Sequence, residues 1–417
     1  GSALFGMISG SAVANVASVG TITIPLMKRA GFPPETAAAI EAVGSTGGQI
    51  APPVMGAAAF LMAEYLQVPY ATVMVAAVIP ALLFYAALFF QVDLESAKLG
   101  IHGAPRENLP SVGQALREGW HFPIPFFVLI GGLLWWNLEA EYAALLATAV
   151  LIGLAMVVPY KGRRIRPLEA LNAVISAGGA VVDIIAITAV SGILIGAMNI
   201  TGVAFSLTQQ IISLSGGSLA MLLLITAFAS FILGLPLPTL GVYVILATLA
   251  APALTQAGIS AIQAHMFVLF SGILGMVTPP VALAAFAGAT IAQSDQWKTG
   301  WVATRLSWCA YLIPFMFAYS PELVMNGAPW DVLLRLAITL AGIFAGTVAV
   351  VGFLATRVAP AGRILFAAIA LMLLAQPTMF DGAGWVNIAG ALAGAAAIGW
   401  EITRARAARP AAPPQES

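Results

Sequence analysis

The chain has 417 residues, 60% hydrophobic and 8% charged, with 17 Lys and Arg balanced by 17 Asp and Glu. Soluble domains carry about 25% charged residues, so an aqueous globule is excluded, and nothing suggests a nucleic-acid surface. One cysteine, Cys309, and three scattered histidines, His102, His121 and His265, exclude an internal disulfide and a cysteine or haem metal cluster, and give redox chemistry no support.

Apolar runs of about 17 to 25 residues, enough to cross the hydrocarbon core as helix, recur along the chain, whereas a spanning barrel would show short alternating strands. The fold class expected is therefore all-α and polytopic. In chain order, the opening GSALFGMISGSAVANV lacks a signal-peptide pattern and is expected to begin inside a membrane segment. Stretch 1–27 is broken at Ser9 to Asn15 and stretch 218–255 at Gly234 to Gly241, by residues that interrupt helices. Both read as re-entrant hairpins. Crossing helices are predicted over 36–64, 70–92, 121–138, 142–159, 172–200, 260–294, 299–320, 332–355, 364–379 and 384–400.

The positive charges test this topology. Lys28, Arg29, Lys98, Arg106, Arg117, Lys161, Arg163, Arg164, Arg166, Lys298, Arg357, Arg363, Arg404, Arg406 and Arg409 fall on one side, while Glu64, Glu139, Glu141, Glu322, Asp331 and Asp381 fall on the other with Arg335. By the positive-inside rule the Lys161 to Arg166 side is cytoplasmic. Trp135, Trp136, Trp297, Trp301, Trp330 and Trp385 sit near helix ends, as aromatic belts do.

Sliding the sequence on itself by 227 residues matches Thr21 with Thr248, Pro25 with Pro252, Gly31 with Gly258, Gly48 with Gly275, and Pro52-Pro53-Val54 with Pro279-Pro280-Val281. With Ala30, Ala37, Ala57 and Ala58 and their counterparts, that makes 11 identities over residues 21–58. The Pro and Gly matches mark special backbone rather than bulk apolarity. Each copy reads as hairpin, then discontinuous helix, and the five crossings predicted between the hairpins make the repeats inverted. Inverted repeats with broken helices point to a secondary transporter whose substrate site lies near the bilayer midplane.

Non-helical backbone at membrane depth is tolerated only where it is buried in protein or lines a watery cavity. The four breaks are Ser9-Gly10-Ser11 through Asn15, Gly44 to Gly48 ahead of Pro52-Pro53, Gly234 to Thr239, and Gly275 to Pro280. Their neutral oxygens suit Na⁺ better than Ca²⁺ or Mg²⁺, which recruit carboxylates. Half-helix N-termini favour an anionic substrate. One Na⁺ is expected near each hairpin tip with substrate between; helix capping is the competing role for Ser11 and Thr278. Glu41 and Asp183 lie inside predicted helices, where a charge is costly; Glu41 is a candidate to hold a hairpin tip or bind a proton, against structural hydrogen bonding, and Asp183 is a candidate for an interface between moving and fixed parts. His265, matched by Ala38, reads as structural.

The segments ISGSAVANVASVGTITIPLMKRAGF and GSTGGQIAPPVMGAAAF, with ILGLPLPTLGVYVILATLAAPAL and GILGMVTPPVALAAF, resemble the large membrane subunit of tripartite ATP-independent periplasmic (TRAP) transporters. The second half is similar to the TAXI-type fused permeases, a 4TM/12TM fusion. The resemblance covers about 1–320 and implies an elevator-type fold, driven by a Na⁺ gradient, that takes up an organic acid or amino acid delivered by a periplasmic substrate-binding protein in a bacterial inner membrane. It carries the Na⁺/substrate region onto Ser9, Gly10, Ser11, Asn15, Gly44, Ser45, Gly48 and Pro52, and onto Gly234, Pro236, Pro238, Thr239, Gly275, Thr278 and Pro279. Relative to that family, helices preceding the first hairpin are missing, so the chain is expected to be N-terminally truncated, without the small membrane subunit or a fused N-terminal part.

The domain organisation expected is 1–93 as the transport part of the first repeat, 94–120 as a cytoplasmic connector, 121–320 as the second repeat, 321–403 as an extension of three helices and 404–417 as a disordered tail. No break holds an acidic metal motif, a Ser/His pair or paired His, so no enzyme and no cofactor beyond Na⁺ as coupling ion is read. Two other readings stay open: a self-sufficient Na⁺- or H⁺-coupled carboxylate carrier, and a non-transporting scaffold or receptor.

Overall fold

Pro and Gly punctuate the apolar sequence, and the helices start and stop at that punctuation. The computed structural model describes residues 1–101, 111–235 and 237–407. Among them the regular structure is helical, apart from two isolated bridges, Tyr160 with Arg163 and Phe353 with Arg357. Helices α1 (Ser2–Ser9) and α2 (Ala12–Ala30) are joined by Gly10, in the left-handed region at φ 64°, and by Ser11, whose side chain caps α2. Helices α3 (Pro34–Gly48) and α4 (Ala57–Leu66) flank a turn, and α5 (Tyr70–Leu99) follows. Next come α6 (Val112–Gly119), α7 (Ile124–Leu134), α8 (Ala140–Val157), α9 (Pro167–Thr201) and α10 (Val203–Leu214). The second hairpin-like pair is α11 (Leu219–Gly234) and α12 (Thr239–Leu249), with a short α13 (Ala251–Gln256) around Pro252. Helix α14 (Ala261–Ile273) tightens into a 3₁₀ turn at Leu274–Met276 before α15 (Leu283–Ala292). The chain continues with α16 (Gln296–Leu306), α17 (Ile313–Tyr319), α18 (Pro329–Val351), α19 (Pro360–Leu374) and α20 (Ala383–Ala407). Pro at the first turn of α3, α17, α18 and α19 occupies the position where its missing N–H costs nothing.

By length and composition, six described spans can cross a membrane: α5, α8, α9, α12 with α13, α18 and α20. Several others, among them α4, α7, α11 and α15, are apolar but shorter. Three features differ from the sequence reading. The stretch predicted as one crossing over 299–320 is two helices, α16 and α17, separated by a turn at 307–312. Residues 203–214, given no element, form α10. Helix α20 runs through Ala407, with Arg404 3.7 Å from the Glu401 carboxylate one turn back. Arg106, Pro236, Arg409 and His102 lie outside the described residues, as does the side chain of Asp183.

The repeat offset of 227 reappears in the helix limits. Helix α2 starts at Ala12 and α12 at Thr239; α3 starts at Pro34 and α14 at Ala261. Left-handed residues recur at Gly31 and Gly258 and at Met55 and Ala282, and the Pro52-Pro53 and Pro279-Pro280 peptide bonds are both cis.

Contacts divide the chain into two compact units. One holds residues 1–49, 76–102 and 273–417; the other holds 50–75 and 103–272. In the first, α3 is the hub and packs against α1, α2, α15 and α16. Its buried face is Ala37, Ala38, Ala39, Ala42, Gly44, Gly47 and Gly48, small residues that let backbones approach where van der Waals packing drives helix association. A Cβ on Gly288 of α15 would lie 3.0 Å from the Ala38 carbonyl oxygen, and Lys28 donates to the Ala292 carbonyl at 2.7 Å. A second core of this unit joins Leu94 of α5 to Val348, Phe366, Ile369 and Leu373. In the other unit α12 packs against α4, α9, α10 and α13, and α7 packs on α8.

Candidate functional site

The buried stripe of α2, Ala12, Asn15, Val16, Gly20 and Ile24, recurs with helical period and carries one amide among apolar and small residues. Asn15 is fully buried, and its amide donates to the Ser2 carbonyl and to Ser45 Oγ, both at 2.8 Å. Ser45 in turn donates to Glu41 Oε1 at 3.1 Å. Glu41, 2% exposed, also accepts from Ser2 Oγ at 2.6 Å and from Thr23 Oγ1 at 2.5 Å. Gly20 makes room for it, since a Cβ there would sit 3.2 Å from Glu41 Cγ. Both arms of the first hairpin are thus tied to α3 through one carboxylate held by three hydroxyls. Asn15 Oδ1 is a buried acceptor with no hydrogen-bond partner among the described residues, which leaves one oxygen at the end of this network to be satisfied by something else.

Glycine brings the backbones together beside that network. A Cβ on Gly48 would lie 2.5 Å from Gly6 Cα, and one on Gly6 3.0 Å from Asn15 Nδ2 and 3.2 Å from the Ser45 carbonyl. Tyr85 of α5 donates to the Gly44 carbonyl at 2.8 Å. At the tip, Ser9 and Ser11 are exposed; Ser11 accepts from Ala14 N–H at 3.4 Å, a capping bond, and Ser9 reaches the Gly6 and Ser11 carbonyls at 3.4 Å.

The second broken helix ends in the same unit. Gly275 is buried in the 3₁₀ turn, and Thr278, 8% exposed, donates to the Leu274 carbonyl at 2.7 Å and shares a short hydrogen bond with Tyr311. Pro279 packs on Gly300 of α16, where a Cβ would come within 2.8 Å of the ring. The other unit holds Pro52, Gly234, Pro238 and Thr239. There Tyr70, stacked on Phe60 at 4.3 Å between ring centroids, donates to the carbonyls of Pro53 (3.0 Å) and Val54 (2.6 Å). Gly234 meets the Gly272 carbonyl so closely that no Cβ fits, and Pro238 is the N-cap residue of α12, with Thr239 its first helical position. His265 is buried, bonded to Tyr243 OH through Nδ1 at 2.8 Å and in ring contact with Tyr65.

Residues 1–330 match the family described as the tripartite ATP-independent periplasmic transporter, DctM component. The chain belongs to this family. It is 26% identical over 325 residues to the isethionate TRAP transporter permease protein DctMQ of Oleidesulfovibrio alaskensis, covering 77% of this chain and 50% of that one. The chain thus spans about half the length of that relative. It is 24% identical over 339 residues to YgiK of Salmonella typhimurium, an uncharacterized protein, covering 77% and 72%. A chain of Haemophilus influenzae whose name provisionally places it among TRAP transporter large permeases is 23% identical over 338 residues, covering 78% and 75%. With its apolar helices, this DctM-family chain is a multi-pass membrane protein and a transporter permease component.

Within the DctM match, the structure brings Asn15, Gly44, Ser45 and Gly48 together, and sets Gly275, Thr278 and Pro279 at the second break of the same unit. Ser2, Thr23, Tyr85 and Tyr311 complete these clusters and were not singled out from sequence. Thr23 is half-buried beside the buried stripe of α2 and Tyr85 faces a glycine, but Ser2 and Tyr311 are linked to their partners across 39 and 33 residues, a distance no local pattern reports.

Among the described residues no group of three or more His, Cys, Asp or Glu is placed to hold a metal ion. The oxygens gathered at both breaks are carbonyl, hydroxyl and amide oxygens, together with the Glu41 carboxylate.

Proposed function

We propose that this chain is the permease of a Na⁺-coupled secondary transporter that takes up a small organic acid or amino acid from a periplasmic substrate-binding protein, across a bacterial inner membrane. The observation that carries this reading is the family match over residues 1–330, which takes in both hairpin-and-break copies. The isethionate permease among the relatives is named for a small organic anion, in keeping with an anionic substrate here. In this reading the two copies are inverted, the hairpins and broken helices move as an elevator against the remaining helices, and the chain acts with further membrane segments of the TAXI-type fused kind. Ser9, Gly10, Ser11, Asn15, Gly44, Ser45, Gly48 and Pro52 form one Na⁺ region; Gly234, Pro236, Pro238, Thr239, Gly275, Thr278 and Pro279 form the other. The unpartnered Asn15 Oδ1 supports the first, because a buried carbonyl oxygen without a donor is what a desolvated monovalent cation uses.

The deciding experiment is uptake of a panel of radiolabelled carboxylates and sulfonates into proteoliposomes, with and without a Na⁺ gradient and the candidate binding protein. Uptake that needs both is the expected result. Uptake driven by Na⁺ without the binding protein would move the chain to the self-sufficient carriers. A second reading, coupling to protons, is favoured by one observation: Glu41 is buried in a cage of hydroxyls with no ion pair to a cationic side chain among the described residues. Uptake that follows an inward proton gradient, and loses that dependence in Glu41→Gln, would establish it.

A further inference from the structure

Where α8 ends and α9 begins, the chain makes a tight turn closed by paired backbone bonds between Tyr160 and Arg163, at 2.9 and 3.0 Å. A third bond, from Ile165 N–H to the Ala155 carbonyl at 3.0 Å, folds the turn back over the end of α8. Between these elements lies a cavity of about 620 Å³. Its body is apolar, walled by Ile152 and Ala155 of α8, Ala173 of α9 and Phe122; its rim carries Arg163 and Arg164. Phe122 is braced edge-on by Tyr160, ring centroids 5.0 Å apart, and tilted against His121 at 4.3 Å. Both α8 and α9 are long and apolar enough to cross a membrane, so the turn joining them, and the cavity with it, sits at a membrane–water boundary. The charge pattern makes that boundary the cytoplasmic one.

A slot with an apolar body and a guanidinium rim at the headgroup level fits one class of ligand. We propose that this cavity is a binding site for an anionic phospholipid of the inner leaflet, its phosphate held by Arg163 and Arg164 and one acyl chain lying along Ile152, Ala155 and Ala173. Arginine is suited to the task because its planar fork holds phosphate oxygens in pairs, and basic pockets between membrane helices on the cytoplasmic side recognise such headgroups. Arg163 is engaged by Glu169 at 2.8 Å, a pair with side chains 82% and 41% exposed. Arg164 has no ion pair among the described residues. The phosphate therefore competes with Glu169 for Arg163 and meets Arg164 free.

The test is native mass spectrometry of the detergent-purified protein titrated with phosphatidylglycerol, phosphatidylcholine or inorganic phosphate. The expected result is a one-to-one phosphatidylglycerol adduct that Arg164→Gln weakens about five-fold, the value of about 1 kcal/mol for one headgroup charge contact. Lys161→Gln, which removes a neighbouring charge outside the cavity lining, should weaken it less. Glu169→Gln, by releasing Arg163, should tighten it, and Ala173→Trp, which fills the slot without changing charge, should abolish it. Arg164 and Ala173 are exposed, so neither substitution threatens the fold, and a retained circular dichroism spectrum checks this. Equal affinity for phosphatidylcholine, an adduct with inorganic phosphate that displaces the lipid, or wild-type binding in Arg164→Gln and Ala173→Trp would each overturn the proposal.

Discussion

The two copies of the hairpin-and-break repeat each hold the hairpin to the helix before the break by a close glycine contact with backbone, at positions shifted between the copies, and by different chemistry. In the first copy Gly6 meets Gly48 and Ser45; in the second Gly234 meets Gly272. Around that contact the first copy places Asn15, Ser45, Glu41 and Thr23, whereas the residues 227 positions on are Val242, Gly272, Val268 and Ala250. The Asn15–Ser45 hydrogen bond of 2.8 Å has as its counterpart a Val242 methyl that stands 2.8 Å from where a Cβ of Gly272 would be. The second copy has its own buried polar link, Tyr243 to His265 at 2.8 Å, but seven residues, two helical turns, before Gly272. Val16 and Ala38 stand there in the first copy, both fully buried. Backbone proximity is thus the shared requirement, while the polar link slides along the helix. Among the described residues the first copy concentrates Asn15, Ser45, Glu41 and Thr23 beside its break, while at its own break the second copy brings Thr278 with Tyr311 and Thr304 to the backbone carbonyls.

The largest effects should come from the shared contact. Gly234→Ala and Gly48→Ala each place a methyl into facing backbone, and overpacking against atoms that cannot rotate away costs about 3 kcal/mol. Equilibrium unfolding in mixed micelles should show both losses to be of similar size. A neutral Gly234→Ala with a damaging Gly48→Ala would mean that the copies do not share the contact.

Next in size is Glu41→Ala. It leaves the hydroxyls of Ser2, Thr23 and Ser45 without their common acceptor in a buried place, at a cost of about 2 kcal/mol. Glu41→Gln keeps one acceptor oxygen and should lose about half as much in the same unfolding experiment. Val268→Ala at the matched position removes only apolar contact, so a loss equal to that of Glu41→Ala would remove the chemical distinction between the copies.

The repeat offset and the neighbourhood of each break were legible in the sequence because Pro52-Pro53 and Pro279-Pro280 restrict the backbone and Gly48 and Gly275 free it, but the turns are narrower or displaced: Gly44 to Gly48 stay helical in α3 and the non-helical stretch is 49–56, while Asn15 and Gly241 lie inside α2 and α12. Glu41 was legible as an oddity because a charge stands out in an apolar helix. Its partners were not, since Ser2 and Thr23 approach it from other helices and weak polar residues are common at such packing faces. The turn between α16 and α17 escaped notice because residues 307–312, Ser-Trp-Cys-Ala-Tyr-Leu, contain neither Gly nor Pro; the one signal was Pro314 at the start of α17. Helix α10 gives no crossing signal because five of its twelve residues over 203–214 are polar, the run is too short for a crossing, and it lies between two stronger apolar stretches.

Smaller again is the expected effect of Tyr243→Phe, which removes the hydroxyl bonded to His265 while keeping the ring, and should cost about 1 kcal/mol in unfolding free energy. The comparison sharpens if uptake then keeps its Na⁺ dependence, because this link lies two turns from the break and holds helices rather than ions.

The smallest change in stability, and the most informative about transport, belongs to Ser11→Ala. Ser11 is exposed and its side chain caps α2 through Ala14 N–H, so its loss costs about 0.5 to 1 kcal/mol as a cap. If the tip does nothing more, uptake at saturating Na⁺ and the Na⁺ concentration for half-maximal uptake both stay as in the wild type. If the first hairpin tip is an ion site, the hydroxyl is also a ligand, and half-maximal uptake moves to higher Na⁺ in Ser11→Ala while Thr239→Ala, at the first turn of α12, shifts it separately. A Na⁺ dependence unchanged in both variants would leave the ion to Asn15 Oδ1, the carbonyls of the breaks and the hydroxyls of Ser9, Ser45 and Thr278, and would make the Ser11 side chain a cap alone.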